Sequence, residues 1–286
     1  MTFAALILVL IAAFLHATWN LLAKRSGGGV QFVFLYSLAS AVIYLPFAAV
    51  AYGSELSGLT ATQLAFIALS ALVHVGYAVS LQRAYAVGDL SVVYPLARGT
   101  GPLLSSLGAI LFFGERPTLM ALVGGVSVVF GVFLLAGGTK LFRAGASEAG
   151  VLGGIITGVF IAGYTLIDAT TVSTLAVPPL LVDFGNNLIR SLVLLPFIWR
   201  KREELLPLFT AQRRNVLGVA ILGPLGYILV LTELKTTPVS YVAPAREISM
   251  LLSAVLGATL LQEENFRERI FAALLIAGGV AALALG

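Results

Sequence analysis

The sequence predicts an all-α integral membrane protein of ten transmembrane helices, arranged as two inverted five-helix repeats. Three observations carry this: 59% of the 286 residues are hydrophobic and only 10% charged, ten apolar runs of spanning length follow one another, and the second five echo the first. A soluble domain carries about 25% charged residues, so the solvent for most of this surface must be lipid.

The spans are expected at 2–22, 30–51, 62–83, 90–113, 118–137, 149–170, 179–199, 214–234, 240–262 and 267–285, each close to the roughly 20 residues a bilayer core requires. The apolar start, Met1 to Leu15, lacks a basic n-region and runs on into a longer segment, so it reads as the first span and not as a cleaved signal peptide. The repeat is positional. Pro46, Phe47, Leu72, Gly76, Tyr77 and Leu81 recur 150 residues later as Pro196, Phe197, Leu222, Gly226, Tyr227 and Leu231. After one indel, at an offset of 149, Ser91, Val93, Pro95, Gly108 and Glu115 recur as Ser240, Val242, Pro244, Gly257 and Glu264. Matched Pro, Gly, Tyr and Glu are informative in so apolar a chain. The units are then 1–137 and 149–286, joined by a linker at 138–148.

Five is odd, so a second copy of the unit must enter the membrane from the opposite side. Loop charge agrees. Lys24 and Arg25 follow the first span while the counterpart near Val177 is uncharged, and the neutral loop near Tyr52 matches the basic Arg200, Lys201, Arg202, Arg213 and Arg214. Arg116 and Lys235 are the Lys and Arg of the even-numbered loops, the rest of the loop cations lying in odd ones. The positive-inside rule therefore puts odd loops in the cytoplasm and both termini outside. The net charge of +4 is explained by these loops, and no nucleic-acid partner is expected. There is no Cys, which removes disulfides, thiolate metal sites and Cys nucleophiles.

Several landmarks resemble the drug/metabolite transporter superfamily, and within it the EamA-type ten-helix proteins. They are Trp19 late in the first span with Asn20 and Lys24 after it, Pro95 and Pro244 in the fourth and ninth spans, and Gly114-Glu115 and Glu263-Glu264 closing those spans. The resemblance covers essentially the whole chain. It implies a central cavity between the halves, reached alternately from each side, with the first four helices of each unit lining it and the fifth peripheral. Members of the family often keep their termini in the cytoplasm, the reverse of the charge count here.

Ionisable residues deep in spans are costly, about 2.5–3.5 kcal/mol or more each, and usually face a cavity or a partner. In the fourth span Arg98 stands in a Pro95, Gly99, Gly101, Pro102 run that should interrupt or kink the helix. A guanidinium beside freed backbone groups suits a carboxylate, phosphate or phosphonate. The matching place in the ninth span is Glu247, next to Arg246 and after Pro244. Two readings follow: Arg98 binds an anion with Glu247 as proton carrier or gate, or the two mates form a structural ion pair. Pro95 and Pro244 are the expected hinges.

The seventh span places Asp183, Asn186, Asn187 and Arg190 at i, i+3, i+4 and i+7, on one helical face, and its mate shows Tyr36, Ser37 and Ser40. This is either a wet cavity surface or a self-satisfied helix interface. His16, Trp19 and Asn20 share a face of the first span, Tyr164 and Asp168 repeat that spacing in the sixth, and His74 and Tyr77 share a face of the third, echoed by Tyr227. Trp and Tyr could shape the cavity around a charge-reading Arg. His16, Asp168 and Glu247 are the proton-coupling candidates, each set against a packing role. Glu115 and Glu264 are expected to cap the helix that follows each. Gly124-Gly125 with Gly131, and Gly278-Gly279, should let the fifth and tenth helices pack closely against a neighbour.

No His-Glu-x-x-His, no Gly-Lys-Ser/Thr phosphate loop and no paired aspartate protease motif occurs, so no enzymatic activity and no cofactor is expected. The resulting expectation is a secondary transporter of the bacterial inner membrane. It moves a small anionic or zwitterionic metabolite by alternating access, contacting it through Arg98, Tyr77, His74, Trp19, Asn20, Asn187, Arg190, Tyr227 and Arg246. Its partners would be the solute, membrane lipid and a coupling proton or counter-solute, in a monomer or homodimer. A lipid or lipid-linked-sugar flippase is the alternative, and a non-transporting assembly or sensor protein the third.

Overall fold

In hydrocarbon every backbone N–H needs a partner within its own segment, and helices provide it. The computed structural model describes residues 2–26, 29–88, 90–135, 147–251 and 266–286. They form α1 (Phe3–Arg25), α2 (Val30–Ser57), α3 (Ala61–Val87), α4 (Leu90–Phe112), α5 (Leu119–Leu135), α6 (Glu148–Ser173), α7 (Pro179–Trp199), α8 (Leu205–Glu233), α9 (Val239–Ala245) and α10 (Phe266–Leu285). A 3-10 turn, Arg202–Glu204, precedes α8, and helix resumes after α9 over 248–251. Most of the expected linker, and Glu263-Glu264, lie outside the described residues. Among the described residues no strand occurs, and six helices are long and apolar enough to cross a membrane.

α2 and α8 outrun their expected spans by the most, and each bends close to the limit expected for its span. The backbone leaves helical geometry at Tyr52 in α2 (φ −138°, ψ 32°) and at Gln212 in α8 (φ −113°, ψ 15°). The pieces beyond, ending at Ser57 and starting at Leu205, are one to two turns long. Thr60 and Gln63 form a capping box at the start of α3.

The contact pattern is itself two-fold. α3 packs on α6 as α1 packs on α8, α2 meets α8 as α3 meets α7, and α2–α7, α4–α9 and α5–α10 pack as mates. Direction follows from the residues that touch. Gly124 of α5 faces Gly279 and Ala282 of α10 while Gly131 faces Ile276 and Ala272, so these mates run antiparallel. Tyr36 and Phe34 of α2 meet Arg190 and then Leu194 and Ile198 of α7, again antiparallel. α4 and α6 run parallel, Gly101 lying on Ile161 and Gly108 on Leu166. Mates of opposite direction are what an inverted repeat requires.

Two local expectations are corrected. Glu115 does not cap α5, which follows it. Its carboxylate accepts from Val239 N (2.7 Å), Ser240 N (2.9 Å) and Ser240 Oγ (2.5 Å), capping α9 of the other repeat. The α9 start is fully packed, Val239 through Ala245 being buried, so its amides need a protein partner. The interruption expected in the fourth span falls in the ninth instead. α4 stays helical through Pro95 and Gly101, held along α6. α9 ends at Ala245 and tightens to three-residue turns, with Glu247 N donating to Pro244 O (3.0 Å) and Met250 N to Glu247 O (2.8 Å).

The neighbour expected for the small-residue runs is the other run. A Cβ at Gly124 would lie 2.7 Å from the Gly279 carbonyl oxygen, whereas one at Gly278 would meet nothing within 4 Å. Gly124→Val should therefore lower stability by about 1–3 kcal/mol through overpacking, and Gly278→Ala should leave it unchanged. Thermal unfolding of the purified variants checks both, and equal behaviour would contradict this crossing.

Candidate functional site

The helices enclose a cavity of about 140 Å³ between the two halves. From the first repeat it is lined by His16 and Trp19 of α1, Tyr36 and Ser40 of α2, His74 and Tyr77 of α3, and Arg98 of α4. From the second come Tyr164 of α6, Asp183, Asn187 and Arg190 of α7, Tyr227 of α8 and Arg246 just past α9. Ala12, Ala13, Ala78, Gly223 and Gly226 leave the room between them.

Aromatic rings make one wall. His74 stacks on Tyr164, with centroids 3.9 Å apart and an interplanar angle of 21°, and both meet Tyr227 edge-on. Tyr77 meets Tyr164 edge-on at 5.9 Å, and His16 meets Trp19 at 4.9 Å. His74 Nδ1 lies 3.0 Å from Ser70 O, which fixes the ring on its own helix. Such edge-to-face sets are rigid, apolar on their faces and polar at their rims.

The three guanidiniums are in different states. Arg98 Nε lies 3.0 Å from Glu247 Oε2, and the two side chains are only 8% and 4% exposed. Nη2 also donates to Ser249 Oγ (3.2 Å). The Nε–Oε2 contact is an ion pair more than an aligned hydrogen bond. Arg98 therefore reaches the cavity already neutralised, which matches the paired reading of these mates. Arg190 and Arg246 have no carboxylate within ion-pairing distance among the described residues. Arg190 makes one long bond, 3.5 Å to Tyr36 Oη, and its Nε has no partner there. Arg246 lies over the Tyr227 ring at 5.6 Å. Two guanidiniums with no ion-pair contact among the described residues, sharing their wall with the single carboxylate of Asp183, create a field that an anion would relieve.

The α7 stripe divides. Asp183 accepts from Asn187 Nδ2 (3.0 Å), and these two face the cavity with Arg190, whereas Asn186 turns to Ser70 Oγ of α3 (3.3 Å). Spacing alone put all four on one face; i+3 lies far enough around the helix for α3 to claim it. Asn20, Glu247 and Asp168 are not among the lining residues. Asp168 is completely buried behind Tyr227, whose hydroxyl donates to Oδ2 at 2.5 Å. Pro244 precedes the break after α9; Pro95 lies within continuous helix. Among the residues not anticipated as lining are the small Ala12, Ala13, Ala78 and Gly223 and the apolar Val219, Pro224 and Val230 of α8, which carry no chemistry a sequence could flag.

The fold has solved counterparts. One, titled only as the crystal structure of a protein, aligns over 99% of this chain and 98% of its own with a TM-score of 0.76 at 18% identity, a likeness of fold alone. No curated protein matches the chain. The model of the EamA-like transporter family matches twice, over residues 3–137 and 148–285, one match to each five-helix unit. With two matches of that extent on an antiparallel pair of five-helix units, the chain belongs to the EamA-like transporter family and is an integral membrane transporter of that kind.

Proposed function

We propose that this transporter carries a small organic anion, or a zwitterion held chiefly by its anionic group, by alternating access across a bacterial inner membrane. The observation that carries the reading is the pair of cavity cations, Arg190 and Arg246, with no carboxylate in ion-pairing contact among the described residues, beside an Arg98 that is paired. Guanidinium forks recognise carboxylate, phosphate or phosphonate groups through parallel hydrogen bonds. Asp183 with Asn187 could receive an ammonium on a zwitterion, and the Tyr77, Tyr164 and Tyr227 rims offer hydroxyls to a polar solute while their faces take its carbon skeleton. Trp19 and His74 complete the wall. The pseudo-two-fold packing supports alternating access, because exchanging the shapes of two inverted units turns the cavity toward the opposite side. Odd loops in the cytoplasm remain the orientation favoured by their Lys and Arg.

Thermal stability of purified protein against inorganic phosphate, methylphosphonate, lactate, glutamate and choline tests this. At about 100 times its Kd a ligand adds roughly 2.7 kcal/mol. Anions should stabilise the wild type and choline should not. Arg190→Gln and Arg246→Gln should each weaken that binding by about ten- to a hundredfold, the worth of a charge-assisted hydrogen bond. Stabilisation by none of the anions would move the reading to a lipid-linked cargo.

Arg98→Gln should act differently, costing about 3–5 kcal/mol of stability without ligand because it strands Glu247. Much of that loss should return in Arg98→Met combined with Glu247→Leu, read by the same unfolding experiment. A third variant addresses the cavity itself. A Cβ at Gly223 would meet nothing within 4 Å, and the residue lines the cavity. Gly223→Leu should abolish anion stabilisation while leaving the unliganded unfolding temperature within a degree or so, since a surface of empty space is filled without overpacking.

A further inference from the structure

The cavity is open at one end and sealed at the other. On α1, Ala12 and Ala13 are buried, while His16 and Trp19, nearer the first loop, are half-buried. On α2, Ser40 is buried and Tyr36, again nearer the first loop, is half-buried; on α7, Asp183 and Asn187 are buried and Arg190, nearer the seventh loop, is half-buried. Exposure thus rises toward the odd-numbered loops on helices of both units. In the other direction, toward the even-numbered loops, the space ends on a dry core. There Val9 of α1, Ala48 of α2, Ile67 of α3, Val172 of α6, Leu231 of α8 and Val242 of α9 are at most 3% exposed. A solute reaches the even side only if this end parts.

At that end one side chain ties the two units together. Glu115 stands past the end of α4, in the first unit, and its carboxylate accepts from Val239 N, Ser240 N and Ser240 Oγ of α9, in the second. The local backbone aims it there. Gly114 has φ +68°, a left-handed conformation that glycine adopts freely, and Glu115 N donates back to Ala109 O (3.3 Å), so the chain turns sharply off α4. Beside it Thr118 N donates to Tyr241 Oη of α9 (3.2 Å), and Gln63 Nε2 of α3 donates to Leu175 O in the α6–α7 loop (3.0 Å). A hollow of about 400 Å³, lined by Glu115, Arg116, Thr237, Pro238 and Tyr241, lies against the tie. Glu115 itself is half-buried, so its carboxylate can pass from protein donors to water.

We propose that Glu115 is a positioning residue for transport, the latch of the even end: its carboxylate holds that end shut in this structure and must release α9 before the cavity opens there. This rests on the alternating-access reading above and assigns one of its two closures. Placement carries it. The three bonds cross from one unit to the other beyond the sealed end of the cavity, so a displacement that parts the units at that end breaks them. The Arg98–Glu247 contact also joins the units, but Arg98 lines the cavity and the pair favours neither end. Bonds to a carboxylate are the stronger kind, yet a half-exposed carboxylate regains much of their worth as hydration when they break. Such a tie biases an equilibrium without freezing it. A cap that served α9 alone would satisfy the same buried amides but would leave the rest of the seal unaffected.

The chain has no Cys, so Val9→Cys places a single thiol in the seal, on α1, with no part in the Glu115 bonds. The rate at which a maleimide labels it in purified protein, with no solute present, reads how often the even end opens. Labelling should be slow but measurable in the otherwise unchanged chain. Glu115→Ala should speed it by about ten- to a hundredfold, and Ser240→Ala, which removes the Oγ bond alone, by about two- to tenfold. Val216→Cys, buried at the odd end, should not speed with either change. A lower unfolding temperature with unchanged Val9→Cys labelling makes Glu115 a cap only and overturns the latch, leaving alternating access untouched. Equal acceleration of both reporters means a loosened fold and also overturns it. Should Glu115→Ala fail to fold, Ser240→Ala decides, and an unchanged rate there overturns the latch. No labelling of Val9→Cys in any folded variant, with full labelling after denaturation, shows an end that never opens and removes alternating access together with its latch.

Discussion

Everything at the centre of this molecule is arranged around one buried ion pair. Arg98 and Glu247 occupy corresponding positions in the two repeats, and they meet at 3.0 Å with almost no exposure. Taking two charges out of water costs several kcal/mol each, and their attraction repays this only with good geometry and further partners. Ser249 supplies one such partner. Mates that touch must lie near the pseudo-two-fold axis, so this contact joins α4 to the end of α9 where the repeats meet. It also decides the chemistry of the cavity, because one of three guanidiniums is consumed and the other two are left facing the space.

Backbone symmetry and chemical asymmetry are both needed for that outcome. The packing of α3 on α6 mirrors that of α1 on α8, and the antiparallel α5–α10 crossing closes the bundle through glycine. Close approach is possible there because Gly124, Gly131 and Gly279 leave room for the facing backbone and for the Val128, Ile276 and Ala282 side chains. The side chains depart from the symmetry at the polar positions. Arg190 corresponds to Ser40 and Arg246 to Ala97, while His16, Trp19, His74 and Tyr77 come from the first unit. Both units give rings to the wall, Tyr164 and Tyr227 coming from the second, but the two arginines without an ion-pair partner among the described residues belong to the second unit alone.

The repeat, most limits of the described spans and the opposed directions of mated helices were legible in the sequence, because periodic apolar runs and matched Pro, Gly and Glu report directly on what lipid requires. Tyr52 and Gln212 show how well: the helix bends within a few residues of the limit that hydropathy set. The correspondence of Arg98 with Glu247 was visible too, and only their distance decided between an anion site and an ion pair. What could not be read is what depends on chain segments far apart. Glu115 is four residues from the start of α5 and more than a hundred from α9, and it caps α9 because the buried amides are there. Asn186 leaves its stripe because Ser70 happens to stand opposite. The empty volume is a property of Ala12, Ala13, Ala78 and Gly223 jointly, and no one of them announces it.

The distribution of charge bears on how such a molecule can move. Asp168, Asp183, Arg190 and Arg246 all belong to the second unit, on α6, α7 and the end of α9. A displacement of one unit against the other therefore carries these four together and does not pull opposite charges apart. The Arg98–Glu247 contact is the exception, since it bridges the units, but a contact near the axis is displaced least by any rotation about it. Motion that leaves both sets of charges matched avoids the largest electrostatic barrier available in hydrocarbon. On the reading proposed here, the solute would stay with Arg190 and Arg246 while the first unit's Trp19, His74 and Tyr77 shift across it, His74 sliding on the Tyr164 ring it stacks against, so that shape is tested by movement and charge is held still.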